Sequence, residues 1–61
     1  MDNKYYNLAS ILYSQYLSNK SDLALINKAC REIGKAISLD PNCVKYIQLN
    51  ELIQNVIRKL Q

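Results

Sequence analysis

The side chains that could do chemistry in this chain are two cysteines, five Asp and Glu, five tyrosines and eight Lys and Arg; there is no histidine. Cys30 and Cys43 form no CxxC pair, and without histidine a tetrahedral metal site in one chain lacks ligands. General acid–base catalysis needs histidine or carboxylates brought close together. Asp2, Asp22, Glu32, Asp40 and Glu51 are dispersed along the sequence, and Asp2, Asp22 and Asp40 stand where helix caps are wanted. A serine nucleophile would lack its usual base. With a single glycine there is no glycine-rich phosphate loop. Cys30 falls on an apolar helix face, where it is expected to act as a small buried hydrophobe. Cys43 falls at a helix start, which favours a thiolate, but no partner residue stands beside it in the sequence. The expectation is a non-enzymatic protein with no catalytic residues, no metal and no cofactor, acting by binding.

Two groups of residues are candidates for that binding. Ile11 and Ile47 fall outside the apolar stripes of their helices. Together with Tyr5, Tyr6, Tyr13 and Tyr46 at the rim they make a candidate partner patch, because tyrosine offers a large contact area and is enriched at interface hot spots. The second group is Lys28, Arg31 and Lys35, which lie within about 60° of one another at helical pitch. This basic face suits an acidic partner, or is simply solvated; Glu32, four residues after Lys28, partly offsets it.

Three helices position these residues. Asp2 or Asn3 can cap the first, expected over about 4–18. Its apolar stripe is Tyr5, Ala9, Leu12 and Tyr16, widened by Tyr6, Leu8, Tyr13 and Leu17. The run Leu17-Ser18-Asn19-Lys20-Ser21 breaks the pattern and is short enough to force the next helix back antiparallel. Ser21 or Asp22 caps the second helix, expected over 22–38, in which Leu23, Ile26, Cys30, Ile33 and Ile37 step three, four, three, four. Ala29 and Ala36 flank that ladder and allow close approach. Gly34, at its margin, costs about 1 kcal/mol against Ala in a helix interior, and a tight helix contact would account for it. Pro41 ends the second helix, and Asp40-Pro41 is expected to cap and begin the third, over 41–60. There Tyr46, Leu49, Ile53, Val56 and Leu60 form the stripe, with Leu52 and Ile57 beside it and Val44 sealing the elbow. The expected core joins Ile26, Ile33 and Ile37 to Leu12, Leu49, Ile53 and Val56.

The elbow carries two resemblances. Ala29, Ile33, Ala36 and Pro41, in the run ACREIGKAISLDPN, resemble the second helix and closing proline of a tetratricopeptide repeat, with Tyr13 where that repeat has its large aromatic. The resemblance covers residues 10–43. It implies an all-α fold, a helical hairpin with the third helix as a C-terminal cap, and a role in binding protein. Leu17 stands where the family has a small residue and Lys20 where it has an aromatic. The same region is also similar to a DNA-binding helix-turn-helix, through Ile33, Gly34, Ile37, Leu39, Val44 and Ile47. That alternative makes the chain a transcriptional regulator using the 41–52 segment, with Asn42, Lys45 and Gln48 facing the groove. It needs a first helix of about two turns, whereas no breaker interrupts Leu25 to Arg31.

Length and composition agree with one small domain. The 61 residues are 49% hydrophobic with one glycine and one proline, which suits a packed core rather than a disordered tail. The net charge of +3 permits an acidic partner or nucleic acid without demanding either. No run of 18 apolar residues predicts a membrane span, and MDNKYYN lacks the apolar core of a signal peptide, so a cytoplasmic, intracellular location is expected. A domain of this size commonly draws stability from a partner. The reading is therefore an all-α, three-helix antiparallel bundle, residues 1–61, that serves as a small adaptor, chaperone or antagonist. It binds another protein, or itself as a homo-oligomer, with nucleic acid not favoured and no membrane.

Overall fold

Asn3 starts the fold, in the computed structural model that describes residues 3–61; the cap expected at Asp2 lies outside the described residues. The Asn3 Oδ1 accepts the backbone N–H groups of Tyr5 and Tyr6 at 3.0 and 3.3 Å, satisfying two donors that a helix start leaves orphaned. The Asn3 Nδ2 donates to the Ala36 carbonyl at 3.2 Å. One side chain thus caps the first helix and ties it to the far end of the second.

Three helices follow, α1 Lys4–Ser18, α2 Leu23–Leu39 and α3 Val44–Leu60. They form an all-α, three-helix antiparallel bundle. The two connections, 19–22 and 40–43, are built alike. The backbone N–H of Asn19 donates to the carbonyls of Gln15 and Tyr16, and that of Asp40 to those of Ala36 and Ile37. The Asn19 carbonyl then accepts the Asp22 N–H at 3.1 Å, and the Asp40 carbonyl the Cys43 N–H at 3.3 Å. Each is a four-residue turn that sends the chain back on itself. Asp22 caps α2 through Ala24 N–H, while Cys43 stands at the α3 cap position with no side-chain bond. The third helix therefore begins at Val44 rather than at Pro41. Proline suits the second position of a turn as well as the first turn of a helix, and the Asp40–Cys43 turn takes it.

The core holds Ala9, Leu12 and Tyr16 of α1, Ile26, Ala29, Ile33 and Ala36 of α2, and Tyr46, Leu49 and Ile53 of α3. Ile37, Cys30, Val56 and Ile57 are half-buried against it. Of the expected α2 ladder, Ile26 and Ile33 are fully buried and Cys30 and Ile37 half-buried, and the flanking Ala29 and Ala36 are buried completely. The cause is the middle position of α2, which packs more extensively on α1 than on α3, while α1 and α3 touch little. Leu8, Leu17, Leu23, Leu52 and Leu60 are exposed, and so is Val44, at 63%, which leaves the elbow unsealed. α2 buries surface against both neighbours, α1 and α3 bury theirs mainly against α2, and the outer residues of each stripe stay in water.

Gly34 is not a close-contact residue. A Cβ added there would meet no atom within 4 Å, and its φ is not positive. Two adjacent substitutions should therefore act in opposite directions. Ile33 is fully buried, so Ile33→Ala should cost about 2–5 kcal/mol, close to the whole stability of so small a domain. Gly34→Ala should add about 1 kcal/mol and raise the melting temperature by about 4–8 °C. Thermal unfolding followed by circular dichroism reads both, and equal melting points for the two variants would contradict the register of α2.

Candidate functional site

The candidate residues fall in three places. At the N-terminal ends of α1 and α3, Tyr6 and Tyr46 stack with centroids 4.8 Å apart and planes 29° apart. The Lys45 ammonium lies 4.9 Å from the Tyr6 ring centroid. Offset stacking and a cation over the ring face are both favourable for the aromatic quadrupole. This pair is where α1 and α3 meet. Tyr46 is only 7% exposed, so it is core rather than rim, and its surface is spent inside the molecule.

Tyr5 is half-buried on the other side of α1. Lys4 and Lys35 lie 5.2 and 5.6 Å from its ring centroid. Lys35 also forms an ion pair with Glu32 at 3.1 Å. Glu32, expected on the solvated face as a counterweight to Lys28, is 8% exposed and pairs with Lys35 instead. Its carboxylate is held at the α1–α2 margin by the lysine one turn on. Of the basic face, Lys28, Arg31 and Lys35 are all exposed, but Lys35 is engaged, which leaves Lys28 and Arg31 as the open part.

Ile11 and Ile47 are 54% and 41% exposed, and each has an exposed apolar residue three positions before it on the same helix face, Leu8 and Val44. Ile11 stands about 200° around α1 from Tyr13 and Ile47 about 100° around α3 from Tyr46, so neither falls on the side on which α1 and α3 face each other. Helical geometry does not gather them into the single patch expected. The exposure of Ile47 also removes the core position that the helix-turn-helix reading gives it, and α2 runs unbroken from Leu23 to Leu39.

What the fold does bring together is a cleft of about 290 Å³ between the C-terminal halves of α1 and α3. Tyr16 is the buried part of its lining. Tyr13 and Leu17 line it from α1, Val56 and Leu60 from α3, and Lys20 and Lys59 carry its charge. Of these only Tyr13 belongs to the expected partner patch. Leu17, Val56 and Leu60 read as ordinary stripe residues; in the structure Leu17 and Leu60 are about half exposed and Val56 is half-buried. Cys30 takes an amide hydrogen bond from Gln54 Nε2 at 3.2 Å, and both cysteines are unbridged and half-buried. Among the described residues, no three Cys, Asp or Glu gather as a metal would require, and no helix is long and apolar enough to cross a membrane.

No family model matches the chain, nor does any curated protein or solved structure.

The two tyrosine-and-isoleucine groups should separate in mutagenesis. Tyr46→Ala should cost about 3–5 kcal/mol, as for a buried aromatic. Ile11→Lys and Ile47→Lys should each stay within about 0.5 kcal/mol of the parent, as surface changes do. Urea unfolding of the three variants measures this, and a large loss for either isoleucine would show that it packs against something.

Proposed function

We propose that this chain is a non-enzymatic protein-interaction module, an adaptor, chaperone or antagonist of a larger protein, that takes a partner segment into the cleft between α1 and α3. The observation that carries the reading is the cleft itself. Tyr13 with Leu17 and Val56 with Leu60, each pair spaced by one helical turn, form its two walls, and Lys20 and Lys59 make the rest of the lining polar. Leucines 17 and 60 are about half exposed there. Apolar residues are common singly on protein surfaces, whereas apolar walls that converge on a concave site mark binding. The volume lies at the lower limit of the roughly 300–1,000 Å³ of small-molecule sites, and suits one or two anchoring side chains of a peptide better than a cofactor. The resemblance to a tetratricopeptide hairpin with a capping helix supports the same use through shape: α1 and α2 close on alanines and α3 stacks beside them. The dispersed carboxylates and absent histidine support a binding rather than a catalytic role.

Position-dependent cross-linking tests this. A photo-reactive residue placed at Leu17 or Leu60 should capture a partner in the cell of origin, and the same residue at Ile11 or Ile47 should not. Equal capture from all four positions, or capture from the isoleucines alone, would remove the cleft as the binding surface. A DNA-reading protein would instead show a sequence-specific complex that weakens steeply with salt; no such complex is expected at physiological salt.

A further inference from the structure

The charge and pitch of the cleft say more about its occupant. Lys20 follows the end of α1 by two residues and Lys59 stands in the last turn of α3. Both line the cleft, and no acidic residue does. Among the described residues the single ion pair is Lys35–Glu32, so neither lysine is neutralised within the chain. The two helices that flank the cleft present their C-terminal ends there, and a helix C-terminus carries partial negative charge. A helix entering antiparallel to α1 and α3 would bring its positive N-terminal end to those two negative ends. Acidic side chains are favoured in a helix first turn, and in this orientation they would reach Lys20 and Lys59.

Pitch argues for a helix over an extended strand. Tyr13 and Leu17 stand four residues apart, as do Val56 and Leu60. Ridges at i and i+4 accept the i, i+4 ridge of another helix between them. α2 already packs against α1 and α3, so a fourth helix across the cleft would complete a four-helix arrangement in which α1 and α3 are each flanked by antiparallel neighbours.

We infer that the cleft binds an amphipathic helix of a partner protein with an acidic first turn, lying antiparallel to α1 and α3 so that its carboxylates meet Lys20 and Lys59. This rests on the reading of the cleft as the binding surface. A second copy of the chain fits poorly, because none of its three helices has an acidic first turn and its net charge is +3.

A display selection tests this with defined probes. The library is an alanine-based helix of about 16 residues, long enough to populate a helix, with leucines at i, i+3, i+4 and i+7 and a first turn randomised among Asp, Glu, Ser, Gln, Lys and Arg. Selection on the intact chain should enrich Asp and Glu in the first turn. The best acidic peptide should bind about tenfold tighter than its lysine counterpart, the size expected of two rim ion pairs. The double variant Lys20→Glu, Lys59→Glu should reverse the preference. Leu17→Asp, at an exposed position that leaves the core intact, should abolish binding of both peptides, with circular dichroism confirming the fold. Binding that is lost in Leu17→Asp but indifferent to first-turn charge would overturn the acidic-helix inference and leave the cleft reading standing. Binding that survives Leu17→Asp would overturn both, as would a library that yields no binder. Sedimentation of the chain alone completes the test. A dimer dissolved by Leu17→Asp would give the cleft to a second copy and overturn the inference.

Discussion

The seam between α1 and α2 is the constraint on which the rest of the structure depends. Ala9, Ala29 and Ala36 are all fully buried, and the Asn3 side chain reaches across to the Ala36 carbonyl. Small side chains let two helix axes approach closely. The side of α2 turned to α3 carries larger groups, with Cys30 and Ile37 among them, and α3 answers with Leu49, Ile53 and Ile57. It therefore sits farther out. α1 and α3 touch little; Tyr6 and Tyr46 stack across them near their N-terminal ends, and the cleft lies between their C-terminal halves.

How much of this was legible in the sequence differs by level. Helix number, order and direction followed from periodicity, and α1 begins and ends where the pattern places it. The start of α3 did not follow, because Asp-Pro is equally good as a cap with a first helical residue and as the first half of a turn. The deciding bond, from Cys43 N–H to the Asp40 carbonyl, belongs to the connection as a whole. Ile26 and Ile33 of the expected ladder, with Leu12, Leu49 and Ile53, are buried as the pattern places them, and Ile37 and Val56 pack half-buried against them; less legible was that the flanking Ala29 and Ala36 are buried as fully as the isoleucines. Alanine is buried here for what it permits, not for the area it contributes.

The candidate site was less legible for a related reason. Tyr5, Tyr6, Tyr13 and Tyr46 were identified as interface material by residue type. Three of them work chiefly within the molecule: Tyr46 and Tyr6 on each other, and Tyr5 beneath two lysines. Ile11 and Ile47 stood out because they break their stripes, yet a residue that breaks a stripe points away from neighbouring helices as well as from the core. Residues at the edge of a stripe are the ones that flank a gap between helices. Leu17 and Leu60 have that position, and pattern alone cannot tell such an edge from the core.

On the proposed reading, stability and binding are linked through the surface between α1 and α3. Six core side chains are completely buried, three isoleucines and three alanines. Leu12, Tyr16, Tyr46 and Leu49 add nearly complete burial, but at roughly 25 cal/mol per Å² of apolar surface the alanines contribute little, and a domain of this size stands only about 3–5 kcal/mol above unfolding. A ligand that binds only the folded chain at 100 times its Kd adds about 2.7 kcal/mol, a gain of the same order as that margin. The apolar area that α1 and α3 leave exposed at the cleft is the area a partner helix would cover. The close alanine seam gives α1 and α2 a tight join at small cost in volume, and under the proposed reading a helix seated in the cleft would add its binding energy to the stability of the fold.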